Sequence, residues 1–303
     1  MLKRIYKEAF NLAWKNPFLW LFGFLAAFLA NNEIIVLFLN SSKILQIGGL
    51  PINLSYLRGN YLLIFKSLQK FIFLTPTNLL IFLFVIFISL FVFYLSSLSQ
   101  GILIKNTATK NKLLKNSLKG VDKYSLKIFF LNLLVLVFDS FLIYLFIFKF
   151  NLNANPALAF TLVFFILLII LVLSFIARYS ICFICLEEKP LFSSLKEATK
   201  FFFKNWLISV VNSFIIFLFN ILLGLLLFLI GLNSYYSFSI TAQFLGYFNL
   251  TKTIWFLMFF NLTLIIFVFV FFLSIFSAWQ YSAWGLLYQS IKSGKKEEKK
   301  SNI

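Results

Sequence analysis

The sequence is poor in charged residues and contains no histidine. Only 12% of its 303 residues are charged, against roughly 25% in an ordinary soluble domain, whereas 62% are hydrophobic. A soluble globule of this size cannot bury so much apolar surface, because folding removes only a limited fraction of a chain from water. The composition therefore excludes a soluble enzyme and a disordered chain, and it indicates an integral membrane protein.

Cysteine is also scarce. Cys182 and Cys185 cannot build a disulfide scaffold, and without histidine or further cysteine they cannot complete a four-ligand zinc site. We therefore expect them to fill apolar space, and we expect no metal or other cofactor. The lack of histidine removes the commonest general base, and no glycine-rich phosphate loop is present. The sequence thus predicts a non-enzymatic protein, and a reaction within the membrane at Asp139 is the alternative left open.

Six apolar stretches are each long enough to cross the ~30 Å hydrocarbon layer as a helix. They cover residues 17–39, 79–101, 128–148, 157–181, 206–231 and 254–284. They lack the polar–apolar alternation of membrane barrel strands, so continuous helices are expected. The predicted fold class is all-α: a polytopic membrane helical bundle of six transmembrane helices in three hairpins, each preceded by a cytoplasmic amphipathic helix. We expect a single membrane domain over 1–291 and a disordered basic cytoplasmic tail over 292–303.

The net charge of +18 is concentrated on one side of these spans. Twenty basic residues fall in the N-terminal segment, the second and fourth connections and the tail, and six fall in the other connections. Since lysine and arginine bias sets topology, the crowded side and both termini are predicted to face the cytoplasm of a plasma or inner membrane. A signal peptide is the weaker interpretation of the N-terminus, because its apolar run starts only at Pro17 and no A-x-A pattern follows Ala30. This placement favours membrane lipid over nucleic acid as the partner of the charge.

The cytoplasmic segments resemble one another. Residues 117–127 read SLKGVDKYSLK and residues 194–204 read SLKEATKFFFK, while EAFNLAWKN over 8–16 parallels EATKFFFKN over 197–205. The aligned lysines are Lys7 with Lys119 and Lys196, Lys15 with Lys127 and Lys204, and Lys123 with Lys200. Leu-Ser pairs at 95–96, 173–174 and 273–274 each open a more polar stretch. The pattern predicts a threefold internal repeat with units of about 1–104, 105–182 and 183–291. The alternative is that short basic segments before membrane spans all look alike.

The repeated lysines point to a membrane surface. Within 194–204 they recur every fourth residue, which places them along one helical face, with Leu195, Ala198, Phe202 and neighbouring aromatic residues on the other. Such a helix lies in the headgroup layer with its lysines toward anionic inner-leaflet lipid. The eight lysines aligned above are therefore candidate lipid-surface residues. The competing interpretation is that they only set topology.

Three charged residues within the spans are candidate intramembrane functional residues. Asp139 lies near the middle of the third span, where a charge costs about 2.5–3.5 kcal/mol, so it is either a proton or cation site or a structural hydrogen-bond partner. Glu33 follows Asn31 and Asn32 toward the outer end of the first span, where it either meets water or lines a cavity. Arg178 lies near the inner end of the fourth span, from which it can reach the cytoplasmic headgroups.

Two motifs resemble a known group of proteins. AWKNPFLWLFGF from Ala13 to Phe24 and EATKFFFKNW over 197–206 are similar to poorly characterised prokaryotic multi-pass membrane proteins, a group that includes the membrane domain of some glycerophosphodiester phosphodiesterases. The resemblance implies repeated units of a surface helix and a hairpin, and a membrane location. It implies no activity, because these residues contain no phosphodiesterase catalytic domain.

Two functions compete at this point. The first is a non-enzymatic scaffold that organises the membrane or binds a membrane-protein partner through its lysine-rich surface helices. The alternative is a small-molecule or ion transporter that uses Asp139. Three hairpins do not form the paired inverted repeats that many transporters use, so the scaffold is favoured.

Overall fold

The computed structural model describes residues 1–30, 66, 67, 69, 75–109, 122–149, 156–248 and 250–301. These residues form helices and short connections, with no strand among them. The helices within these ranges are α1 Leu2–Lys15, α2 Phe18–Ala30, α3 Pro76–Thr109, α4 Asp122–Lys149, α5 Pro156–Glu187, α6 Leu191–Lys204, α7 Trp206–Tyr247 and α8 Thr251–Ser301. The predicted all-α class is confirmed for this part of the chain.

Within the described residues, five helices are long and apolar enough to cross a membrane: α3, α4, α5, α7 and α8. The number rises to six if α1 and α2, which meet at a bend of 112°, count as one broken span. These helices support the multi-pass prediction, whereas the arrangement of six spans in three hairpins stays a prediction. Only the part of the first predicted span up to Ala30 is described, and Glu33 lies outside the described residues.

Several helices extend beyond the apolar stretches that predicted them. Because α4 starts at Asp122, Lys123 and Lys127 belong to a candidate span and not to a separate surface helix. Helix α7 continues through 232–247, which the sequence placed in an outer connection, and α8 is helical to Ser301 where a disordered tail was expected. Hydropathy indicates which part of a helix contacts lipid. The helix itself continues, through backbone hydrogen bonds, until a helix-breaking or capping residue ends it.

The chain divides into two compact units. The terminal unit comprises Met1–Phe24 and Phe203–Ile303, and within it α1 and α7 both pack against α8. The central unit comprises Leu25–Phe202, and within it α3, α4 and α5 pack against one another in pairs. The single membrane domain with three repeat units stays a prediction.

The most apolar parts of the long helices are exposed. Leu80 and Phe87 of α3 are 69% and 66% exposed, and no residue of the most apolar 18-residue window of α8 is buried. Contiguous apolar surface of this extent is unfavourable in water by about 25 cal/mol per Å². These surfaces therefore suit contact with hydrocarbon.

The buried core lies at the less apolar ends of three helices. Every residue from 99 to 104 in α3, from 179 to 185 in α5 and from 277 to 288 in α8 is buried. These stretches follow the three aligned Leu-Ser pairs. They contain serine, glycine, alanine and polar aromatic residues, which allow close helix packing and hydrogen bonding inside a membrane.

Polar contacts join α3 to α4 in the central unit. The side-chain amide of Asn132 donates to Ser97 Oγ at 3.0 Å and to Gln100 Oε1 at 2.9 Å. The hydroxyls of Tyr94 and Ser125 lie 3.1 Å apart within the same pair of helices. Buried amide and hydroxyl groups are thereby satisfied between the helices, which fixes their register.

Candidate membrane-surface site

Helices α1 and α6 are both amphipathic and both 14 residues long. Their buried residues recur at every fourth position: Ile5, Ala9 and Ala13 in α1, and Ser194, Ala198 and Phe202 in α6. The two sets correspond one to one when residues 8–16 are aligned with 197–205. The two helices therefore present the same face to the protein.

The opposite faces carry the predicted lysines. Lys7 and Lys15 of α1 and Lys196, Lys200 and Lys204 of α6 are all exposed. Of the remaining candidates, Lys123 is exposed and Lys127 is half-buried, both on α4, whereas Lys119 lies outside the described residues. Five of the eight candidate lysines thus lie on the two surface helices.

Large aromatic side chains share these exposed faces. Phe10 and Trp14 of α1 are about half exposed and their rings stack at 5.7 Å, while Phe192 and Phe203 of α6 are 80% and 62% exposed. The sequence interpretation placed the aromatic residues opposite the lysines, which is wrong for Phe203. Aromatic rings beside lysines are typical of a helix in the headgroup layer, where the rings contact the acyl boundary and the ammonium groups contact phosphates.

The corner between α1 and α2 is fastened by two side chains. The Asn16 amide donates to the carbonyl of Leu12 at 3.0 Å, and the Trp20 indole donates to the carbonyl of Ala13 at 2.9 Å. Both bonds satisfy carbonyls at the end of α1 that have no partner within the helix. Pro17 follows, and the 112° bend turns α1 nearly perpendicular to α2. A spanning α2 would place α1 close to the membrane plane.

Tyr6 ties α1 to the core of the terminal unit. Its hydroxyl donates to Oδ1 of Asn212 on α7 at 2.8 Å, and its ring lies 5.7 Å from that of Trp279 on α8. The Trp279 indole donates to the Tyr6 carbonyl at 3.4 Å. Burial raises the pKa of Tyr6 to about 12. The buried face of α1 is therefore held on two other helices.

A charged cluster at the connection between α5 and α6 was not predicted. Lys189 pairs with Glu197 and, at 3.1 Å, with Glu187. The hydrogen bond to Glu197 raises the pKa of Lys189 above its ordinary value. Glu188 adopts a φ of 58°, and the Ser194 amide donates to the Pro190 carbonyl at 2.9 Å as α6 starts. The only sequence signal was the EEKP run at the end of an apolar stretch.

The intramembrane candidates lie on separate helices. Asp139 is half-buried on α4, between exposed Phe138 and Ser140, and has an interaction partner within the chain. Arg178 is half-buried on α5 and also has a partner. Helix α5 continues for nine residues after Arg178. Its end therefore lies about 13 Å beyond the backbone of Arg178 along the helix axis. The sequence, which ended this span at 181, underestimated that distance.

Cys182 and Cys185 lie in the buried stretch of α5. Both are free thiols. No cluster of three or more potential metal-ligating side chains occurs in the described part of the chain.

Comparisons with known proteins add no assignment. No family model, curated protein or solved structure matches the chain. They provide no link to the phosphodiesterase membrane domains to which the sequence analysis compared two motifs. Function is therefore inferred from the surfaces of α1 and α6.

Proposed function

We propose that the protein is a non-enzymatic integral membrane scaffold whose helices α1 and α6 bind anionic headgroups of the inner leaflet, and which organises that membrane or docks a membrane-protein partner. The observation that carries this proposal is the shared exposed face of lysines and large aromatic side chains on both helices. A helix facing bulk water gains nothing from exposed Trp14 or Phe192. The headgroup layer satisfies both chemistries at once.

The equal lengths and matching buried positions of α1 and α6 support an internal repeat. In this proposal each surface helix precedes a membrane helix and fixes its entry point. The resemblance to the phosphodiesterase membrane domains would extend only to this architecture. No catalytic residue or cofactor is assigned.

The proposed topology places both termini in the cytoplasm of a plasma or inner membrane, as the distribution of 27 basic residues favours. Exposed Thr253 and Ser293, near opposite ends of α8, are suitable labelling sites, because the native cysteines are buried. In intact cells, an impermeant maleimide should label Thr253→Cys, and it should label Ser293→Cys only after permeabilisation. The reverse pattern would place the lysine-rich helices on the wrong side.

Lipid binding is tested with the full chain in vesicles of varied anionic content. Each lysine near an anionic surface contributes about 1 kcal/mol, so Lys7→Gln with Lys196→Gln should reduce the preference for anionic over zwitterionic lipid by up to ~2 kcal/mol. The measurement is the fraction of motionally restricted spin-labelled phosphatidylglycerol relative to phosphatidylcholine. Lys252→Gln, an exposed cation at the other end of α8 from the tail, serves as the matched control. An unchanged preference in the double variant would refute the proposal.

The second candidate function is transport through Asp139. It is favoured by a carboxylate held half-buried on a helix whose neighbouring side chains are exposed to lipid. Proton or monovalent cation flux into proteoliposomes should then be abolished by Asp139→Asn. Absence of flux, or flux that survives this substitution, excludes it.

A further inference from the structure

A groove in the central unit lies between the beginning of α4 and the beginning of α6. Its volume is about 540 Å³, and its walls include Leu126, Lys127, Phe130, Leu134, Leu191 and Phe192. Leu126 and Phe130 are 57% and 55% exposed, and Phe192 is 80% exposed. Every wall residue in this set except the lysine is apolar, so the groove favours a hydrocarbon occupant.

The charged end of the groove is held in place by an aromatic ring. The Lys127 ammonium lies 5.8 Å from the centre of the Tyr124 ring, and the Lys105 ammonium lies 5.0 Å from it. Tyr124 is only 4% exposed, and Glu188 interacts electrostatically with its hydroxyl. Because the ring is fixed, the ammonium of Lys127 has a defined position beside the apolar walls.

The surrounding charges leave this end cationic. Lys123, one turn before Lys127 on α4, is exposed. Of the carboxylates at the α5–α6 connection, Glu188 interacts with Tyr124, and Glu187 and Glu197 pair with Lys189. Lys127 forms no ion pair within the part of the chain that the structure describes, so an anion there does not have to displace one.

We infer that this groove binds one anionic phospholipid, with its phosphate at Lys127 and an acyl chain along α4 from Leu126 to Leu134, a run of about 12 Å. The inference rests on the proposed function, which places the beginning of α4 at the level of the inner headgroups. A point cation at one end of an apolar trough matches an amphiphile with a phosphate head. A second protein is a poor fit, because stable interfaces use about 20–30 residues a side.

The test is native mass spectrometry of the full chain in detergent, titrated with phosphatidylglycerol and phosphatidylcholine of identical acyl chains. We expect one phosphatidylglycerol per chain to be retained in preference to phosphatidylcholine. Lys127→Gln should weaken it about fivefold, the equivalent of one lysine near an anionic surface, and Lys127→Arg should retain it. Leu126→Trp should fill the groove and reduce binding of both lipids. Lys252→Gln and Leu222→Trp, exposed positions that do not line the groove, should leave binding unchanged.

The outcomes separate this inference from the proposed function. If no single lipid is retained, or if Lys127→Gln and Lys252→Gln act alike, the groove inference is overturned. The vesicle preference that depends on Lys7 and Lys196 would then still support the proposed function. Suppose instead that Lys127→Gln weakens binding of the retained phosphatidylglycerol, while Lys7→Gln with Lys196→Gln leaves the vesicle preference for anionic lipid unchanged. The groove inference is then supported and the surface-helix proposal fails. Thermal unfolding of each variant identifies any that fail to fold, and for these the Lys127→Arg and Lys127→Gln comparison decides.

Discussion

The close approach of α2 to α8 in the terminal unit gives a sharp prediction. A Cβ built on Gly23 would lie 2.0 Å from the carbonyl oxygen of Ser274 and 3.2 Å from Cβ of Ala278. Carbon–oxygen contacts of this kind are ordinarily about 3.3–3.6 Å, so more than 1 Å of overlap must be relieved. The obstructing atom belongs to the backbone of a buried helix turn and cannot swing aside as the end of a side chain would. Gly23→Ala must therefore push the two helices apart.

The expected loss follows from two terms. Overpacking of a fitted contact costs about 1–3 kcal/mol. Separation of the helices also weakens the edge-on contact between Trp20 and Phe271, whose centroids are 5.1 Å apart, and such pairs contribute about 0.5–1.5 kcal/mol. Alanine regains at most about 1 kcal/mol of helix propensity over glycine. We expect Gly23→Ala to lower the free energy of unfolding by about 1–3 kcal/mol.

Gly224 and Gly231 of α7 provide matched controls, since a Cβ at either meets nothing within 4 Å. Their alanine variants should be neutral or gain up to about 1 kcal/mol. All three variants can be compared in one detergent by denaturant titration followed through tryptophan fluorescence. The opposite signs make the test independent of the reference state. A Gly23→Ala variant as stable as Gly224→Ala would refute the close packing of α2 on α8.

Three further predictions concern single contacts. Asn132→Leu removes both hydrogen bonds that the Asn132 amide donates to α3 and leaves the Gln100 oxygen without that donor, so unfolding titrations should show a loss of about 1–2 kcal/mol. Tyr6→Phe should cost about 1 kcal/mol at neutral pH and remove one phenol transition near pH 12 from an absorbance titration. Because that pKa is raised, the stabilisation from Tyr6 is full below pH 10 and is lost as the pH rises toward 12. The pKa of Lys189 is raised by Glu197, so the ion pair stabilises fully below pH 10.5 and is lost above it. Lys189→Gln should remove this alkaline loss, which is about 1 kcal/mol or less because the pair is partly exposed.

The sequence predicts some helix boundaries well and others poorly. Helices α1 and α6 end at Lys15 and Lys204, where Asn16-Pro17 and Asn205 follow in the sequence. No helix-breaking residue follows Lys127, and α4 already begins at Asp122. The helix therefore includes Lys123 and Lys127, which the sequence analysis assigned to a surface helix. Lipid contact and helix length are different properties, and hydropathy reports only the first.

The candidate site was also predicted only in part, because a sequence pattern reports one property of a helix and not its packing. Lysine spacing identifies one face of α6, but it does not show how wide the buried stripe is. The stripe consists of Ser194, Ala198 and Phe202, and Phe203, about 100° around the helix from Phe202, falls on the exposed side. The bond from Tyr6 to Asn212 joins residues 206 positions apart, and the Lys189 cluster depends on the φ of Glu188. Neither the Tyr6–Asn212 bond nor the Lys189 cluster produces a periodic pattern that a single sequence would show.

The distribution of polarity explains how the surface helices can be held firmly. In lipid, burying an apolar side chain against another gains little over leaving it in hydrocarbon, so close packing and hydrogen bonds select the interior. Hydropathy therefore identified the lipid-facing surface, while the core formed from the small and polar residues beyond it. Both surface helices attach to such stretches, α1 through the ring of Tyr6 at Trp279 and α6 through the ring of Phe201, which lies 4.9 Å from that of Tyr179. Their exposed lysines and aromatic rings are consequently presented by helices fixed to the core of their own unit, as a surface that reads lipid charge requires.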